Sequence, residues 1–190
     1  MNNKKHKKSG PAIFMYCIII ASACIATLCL SLYYTNATDS SVCMWVGVTF
    51  FTIMYHLWLR LIMGNVTKLF SINYTMWWYR ERPFEKKLYA PLHIKKWKGK
   101  ALTYNPELFS LKDYSLYDIA NTMCKVETDH EINILISLST LLFSILWGQL
   151  WIFALTAFFA ILFDAQFILI QRYNRPRVVR LINKQKQKVR

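Results

Sequence analysis

The chain has 190 residues, of which 55% are hydrophobic and 18% charged, and its 24 Lys+Arg against 10 Asp+Glu give a net charge of +14. So much apolar material excludes a disordered protein. The apolar residues lie in runs of about twenty, the length of a membrane span, so the chain reads as an integral membrane protein and its partners exclude nucleic acid.

The opening MNNKKHKKSG is basic, and Phe14 to Tyr34 follows without a charge. A basic start, an apolar stretch and small residues such as Ala21, Ala23 and Ala26 also describe a signal peptide. Here the run is longer than a typical h-region and no clean cleavage site ends it, which predicts an uncleaved first span over 14–34. Thr35 to Val42 is a short polar connection. Cys43 to Met63 is a second span, interrupted by His56 and Arg60. Ile132 to Trp147 is a third. Trp151 to Ile170 is a fourth, interrupted by Asp164. Gly148, Gln149 and Leu150 leave room only for a tight turn, so the last two spans form an antiparallel hairpin. The expected fold is all-α: a single membrane domain of four transmembrane helices, with amphipathic interfacial helices between spans two and three.

Basic residues set the orientation. Four precede the first span, eleven lie between Asn65 and Glu131, and eight lie from Arg172 to Arg190, while the other two connections have none. The positive-inside rule then puts both termini of a multi-pass cell-membrane protein in the cytoplasm, with Arg60 snorkelling to the same side. The five cysteines form no CxxC and no His/Cys cluster, so neither a disulfide framework nor a metal site is expected.

Residues 65–131 are too hydrophobic for a free linker. Met76 to Tyr79 beside Arg80 and Arg82 is interface composition. Pro83 suits the first position of a short helix with Phe84 and Leu88 on one face. In HIKKWKGK, residues 93–100, Lys95, Lys96 and Lys98 surround Trp97. Such a patch binds either anionic phospholipid headgroups or the phosphates of a cosubstrate. Ser115 and Asp118 form a variant capping box. The helix it opens carries an apolar stripe through Leu116, Ile119, Met123 and Val126. His130 extends that stripe, and Glu127 shares its face three residues earlier. A carboxylate there can hold His130 as a neutral general base; the pair can equally be a helix end at the water interface.

Within the spans, His56 lies eight residues before Gly64, roughly 12 Å deep at 1.5 Å per residue. Asp164 lies at similar depth before Arg172. A buried Asp costs about 3 kcal/mol on insertion scales and needs a partner, and His56 or Arg60 is the expected one. The pairing is interhelical glue or part of a site.

The tail reads Gln171-Arg172-Tyr173-Asn174-Arg175-Pro176-Arg177. With Lys95-Lys96-Trp97-Lys98 and Glu127-x-x-His130 before it, the chain from about Trp78 to Leu181 resembles the glycosyl-4,4'-diaponeurosporenoate acyltransferase family, with Glu131 standing where a Trp is usual. The resemblance implies fatty acyl transfer from acyl-CoA or an acyl-carrier protein to a hydroxyl of a membrane lipid or glycolipid acceptor, with no permanently bound cofactor. His130 and Glu127 would be catalytic. Lys95, Lys96, Trp97 and Lys98 would hold donor phosphates, joined by Asn174, Arg175 and Arg177, which could also stabilise an oxyanion. Two other classes compete: a methyltransferase- or reductase-type membrane enzyme using a phosphorylated cofactor, and a non-enzymatic membrane subunit or immunity protein.

Overall fold

The computed structural model describes residues 10–38, 40–100 and 106–189, and among them there is helix but no strand. The basic opening, residues 1–9, on which part of the orientation argument rests, lies outside the described residues. The long helices are α1 (Gly10–Tyr34), α2 (Ser41–Val66), α5 (Leu116–Ser139) and α7 (Leu150–Val189); α3 (Pro83–Tyr89), α4 (Ile94–Trp97) and α6 (Ser144–Trp147) are short. Four stretches are long and apolar enough to cross a membrane: Ile13–Tyr34, Ser41–Leu69, Leu116–Trp147 and Leu150–Lys188. The protein is therefore an all-α membrane protein with four spans. Large side chains such as Phe14, Ile20 and Leu28 on α1 lie exposed along it, a surface that hydrocarbon rather than water covers.

The helices run longer than their apolar cores. The capped helix expected from Ser115 and the third span are one element, because nothing between His130 and Ile132 breaks the backbone ladder. The cap is reciprocal: Asp118 N–H donates to Ser115 Oγ at 3.2 Å, and Ser115 N–H to Asp118 Oδ2 at 3.2 Å. At the far end the helix tightens to a 3₁₀ turn over Thr140–Phe143, and α6 stops at Gly148, whose φ of 66° is left-handed. Glycine pays no Cβ penalty there. α7 continues for 40 residues, through Pro176 and far beyond the expected end of the fourth span.

The chain divides into two compact units, Met1–Ile62 with Ile136–Phe159 and Met63–Leu135 with Ala160–Arg190. In the first, Val48, Ile152 and Phe153 form the core, with Phe143 and Trp147 packed on it across the hairpin turn. Polar side chains also meet within it: the Tyr55 and Ser139 hydroxyls lie 2.9 Å apart, and Ser137 Oγ lies 3.5 Å from His56 Nδ1. At Gly47 on α2 a Cβ would fall 2.9 Å from Leu30 of α1, so the two helices approach as only a small residue allows. In the second unit, α5 and the later part of α7 come together with the described residues between α2 and α5. Tyr74 N–H donates to Asn121 Oδ1 at 3.0 Å, which pins that segment to α5.

Gly47→Leu should destabilise the first unit by about 1–3 kcal/mol, the usual cost of overpacking. Gly47→Ala should cost less, because the crowded neighbour is a flexible leucine tip. Thermal unfolding in detergent reads both; an unchanged transition for Gly47→Leu would show that α1 and α2 do not meet at this point.

Candidate active site

The second unit carries the ionisable residues that the sequence singles out near the membrane surface. On α5, Glu127 is fully buried. Its Oε1 lies 2.8 Å from Arg172 Nε, and its Oε2 meets Arg175 Nη1. Arg175, 2% exposed, also donates to the backbone carbonyl of Tyr79 from Nε at 3.0 Å and Nη2 at 2.7 Å. Arg172 Nη1 reaches Glu85 Oε1 at 2.6 Å, and the second oxygen of Glu85 accepts from the Tyr89 hydroxyl at 2.8 Å. Burial, and its role as donor to Glu85, push the Tyr89 phenol well above its ordinary range. Two arginines and two buried glutamates thus tie α5, α7 and the 77–89 segment into one cluster.

His130 sits beside this cluster on α5. Its Nδ1 lies 2.7 Å from Oδ1 of Asp164, which is fully buried on α7, and Asn133 Nδ2 donates to the same oxygen at 3.4 Å. The imidazole lies flat on Phe167, with 4.5 Å between ring centroids and 8° between planes. The ring is therefore held on one edge and one face.

This alters the roles expected from spacing. Glu127 was to orient His130, but its oxygens go to the arginines, and Asp164 is the carboxylate at the imidazole. Asp164, for which His56 or Arg60 is the expected partner, meets His130 Nδ1. The reason is helical rotation. At 100° per residue, Glu127 and His130 are about 60° apart around α5, enough to aim them at different positions along α7. His56 and Arg60 lie one turn apart on α2.

A second cluster forms around Tyr173. Lys98 Nζ donates to Asn174 Oδ1 at 2.7 Å and lies 4.9 Å from the Tyr173 ring centre, and the Arg177 guanidinium lies 4.1 Å from the same ring. Burial, then the charge of Arg177, lower the pKa of Lys98 below the usual lysine value. Lys95 and Lys96 are exposed on α4, and Trp97 Nε1 donates to the Leu92 carbonyl at 2.9 Å. Lys98, Asn174 and Arg177 therefore do meet, whereas Arg175, expected among them as a phosphate or oxyanion ligand, is buried and spent on Glu127 and Tyr79.

Sequence reasoning gives no role in the site to Arg172, Glu85, Tyr79, Phe167 or Tyr173. A signal for part of this was available. Asp164, Gln171 and Arg175 are spaced by seven and four, one face of a helix, and all three are buried. The spacing is informative only once the helix is known to continue past residue 170.

Residues 75–184, more than half of the chain, match a family model described as glycosyl-4,4'-diaponeurosporenoate acyltransferase. No curated protein and no solved structure matches.

Removing one member of the buried cluster leaves a charge without its partner. Arg175→Met should cost about 3–5 kcal/mol of stability, and Arg175→Met combined with Glu127→Leu should recover part of it. Thermal unfolding of the single and double variants checks this; a double variant less stable than the single would mean that Glu127 stabilises the fold without its arginine.

Proposed function

The chain belongs to the glycosyl-4,4'-diaponeurosporenoate acyltransferase family, and from that premise we propose that it moves a fatty acyl group from a thioester donor to a hydroxyl of a glycolipid acceptor at the cytoplasmic leaflet, with His130 as general base. The observation that carries the reading is the His130–Asp164 contact of 2.7 Å at a fully buried carboxylate. In a neutral imidazole, an Nδ1–H donated to that carboxylate leaves Nε2 with its lone pair.

The chemistry then follows from one base. His130 Nε2 takes the acceptor hydroxyl's proton as its oxygen bonds to the thioester carbonyl carbon. Collapse of the tetrahedral intermediate breaks the C–S bond, and the imidazolium returns the proton to the departing thiolate. Asp164 stabilises the imidazolium and fixes its orientation, as the acid of a nucleophile-base-acid triad does. Transfer is direct, within a ternary complex: Cys124, the cysteine of α5, is fully buried and is no candidate for an acyl-enzyme.

The donor's phosphates, from acyl-CoA or the arm of an acyl-carrier protein, suit the cluster of Lys98, Asn174 and Arg177. Two cations held against one tyrosine ring repel each other, and an anion between them relieves that repulsion. Exposed Lys95 and Lys96 extend the positive field toward the donor. Family membership in an acyltransferase family favours this reading over the methyltransferase, reductase and non-enzymatic ones.

His130→Ala should abolish the acylated lipid at matched protein level, a loss of about 10²–10⁴ in rate. Asp164→Asn should fall almost as far while folding normally, because an amide in that place no longer dictates which nitrogen carries the proton. Comparative mass spectrometry of membranes from cells making each form reads both; full acylation by folded His130→Ala protein would rule out the base.

The apparent donor KM should rise with pH at a value below that of an ordinary lysine, because Lys98 is charged only below its lowered pKa. Lys98→Met should raise the KM at neutral pH and remove that limb of the profile. A limb that survives the substitution would place the titrating group elsewhere.

A further inference from the structure

Beyond Tyr173 one side of α7 is a row of cations. Arg177, Arg180, Lys184 and Lys188 are all exposed and follow one another at spacings of three, four and four. At 100° per residue they lie within about 80° of one another around the helix. Gln171, Arg175 and Ile182 define another side, and all three are buried, Ile182 completely. By the same count the two sides face about 160° apart. The tail of α7 is thus a packed helix whose row of cations points away from the packing. Lys186, off the row, turns back to α5, with its Nζ 5.5 Å from the centre of the Tyr117 ring.

Nothing in the fold calls for this row. The chain has no acid after Asp164. No ion pair forms on the row among the described residues, and like charges four residues apart destabilise a helix. The favourable field of the helix C-terminus reaches only the last turn, with Lys186 and Lys188. Lipid headgroups do not account for the row either. The apolar run ends at Ile170, so Lys184 and Lys188 lie roughly 21 and 27 Å farther along the helix at 1.5 Å per residue. The surface charge of a membrane is screened within about 8 Å.

Arg177 belongs both to the row and to the cation cluster at Tyr173, where Lys98 meets Asn174. The row therefore starts where the donor's phosphates are placed and leads away from Asp164 and the base. We propose that it docks a small acidic acyl-carrier protein, which delivers the acyl chain on a phosphopantetheine arm. The arm's single phosphate goes to the Lys98–Arg177 cluster, and carboxylates on the carrier's surface go to Arg180, Lys184 and Lys188. Free acyl-CoA carries its other phosphates together on one nucleotide, whereas the row runs on for roughly 17 Å past Arg177. From Pro176 onward the chain has no aromatic ring to take an adenine. A folded partner with an acidic face matches a row of that length, and charges spaced along a rim steer encounter and fix orientation. Leu181, half exposed at the edge of the row, supplies the apolar contact that protein interfaces add to their ion pairs. This docking role rests on the acyl-transfer reading for the nature of the cargo, but the contact itself is measured without turnover.

The test uses the full chain in phosphatidylcholine nanodiscs. The probe is a fluorescently labelled, acidic bacterial acyl-carrier protein that bears its acyl chain through a non-transferable thioether, and fluorescence anisotropy reads the Kd. Wild type should bind, and added salt should weaken the binding. Arg180→Gln, Lys184→Gln and Lys188→Gln together should raise the Kd about tenfold. Their thermal transition should not fall, because the substitutions relieve like-charge repulsion. Lys112→Gln, at an exposed lysine just before α5, should leave the Kd unchanged. Equal binding by wild type and the triple variant, or none by either, would overturn the docking surface. Unchanged carrier binding together with loss of bound phosphatidylglycerol in the triple variant, read by native mass spectrometry, would assign the row to lipid headgroups instead. Turnover separates docking from the broader reading. With the same acyl chain on both donors, the triple variant should raise the KM for the carrier-borne donor about tenfold and leave that for acyl-CoA unchanged. An equal effect on both donors, or transfer from acyl-CoA with none from the carrier, would sink docking and keep acyl transfer. Carrier binding that the triple variant abolishes, in a protein that transfers no acyl group from either donor, would sink acyl transfer and keep docking.

Discussion

A buried carboxylate between two arginines is the constraint on which the second unit depends. Glu127 has no access to solvent, and an ion in that position is tolerated only with its charge and lone pairs satisfied. Arg172 and Arg175 supply the compensating charge from a single helix. Because both come from α7, the contact fixes the register of α7 against α5. Because Arg175 also grips the Tyr79 carbonyl and Arg172 grips Glu85, it fixes the 77–89 segment as well. His130 and Asp164 lie farther along the same two helices, so the register that pairs the ions also brings the imidazole to its acid.

The tail motif becomes intelligible as helix. Arg172 and Arg175 are three apart and point to α5; Tyr173 and Arg177 are four apart and gather with Lys98. Residues adjacent in sequence thus serve two different clusters, one structural and one cationic. Pro176 removes a backbone donor from the helix interior. Around it, Arg180 Nε donates to the Pro176 carbonyl at 3.2 Å, and the helix runs on to Val189.

The acid beside His130 illustrates the limits of local spacing. Glu127 is the nearer carboxylate in sequence, and Glu-x-x-His on one helix suggests a dyad. Asp164 is thirty-four residues away and inside an apolar run, where its partner could only be guessed. Glu131 turns from His130 too, toward the indole of Trp78. Each of these acids is selected by what faces it across the helix interface, and a single sequence does not state which faces meet.

Apolar run length, the Ser115 cap and the short turn at Gly148 were legible in the sequence, because each rests on a local rule: bilayer thickness, backbone donors at a helix start, the few residues left between two apolar runs. The family was legible too, since its motifs are contiguous. The length of α5 and α7, the exchange of partners between Glu127 and Asp164, the withdrawal of Arg175 into the interior and the outward row of cations on α7 were not. Those depend on the angle and register at which helices pack, and these are decided by the sum of many side-chain contacts between segments far apart in the chain.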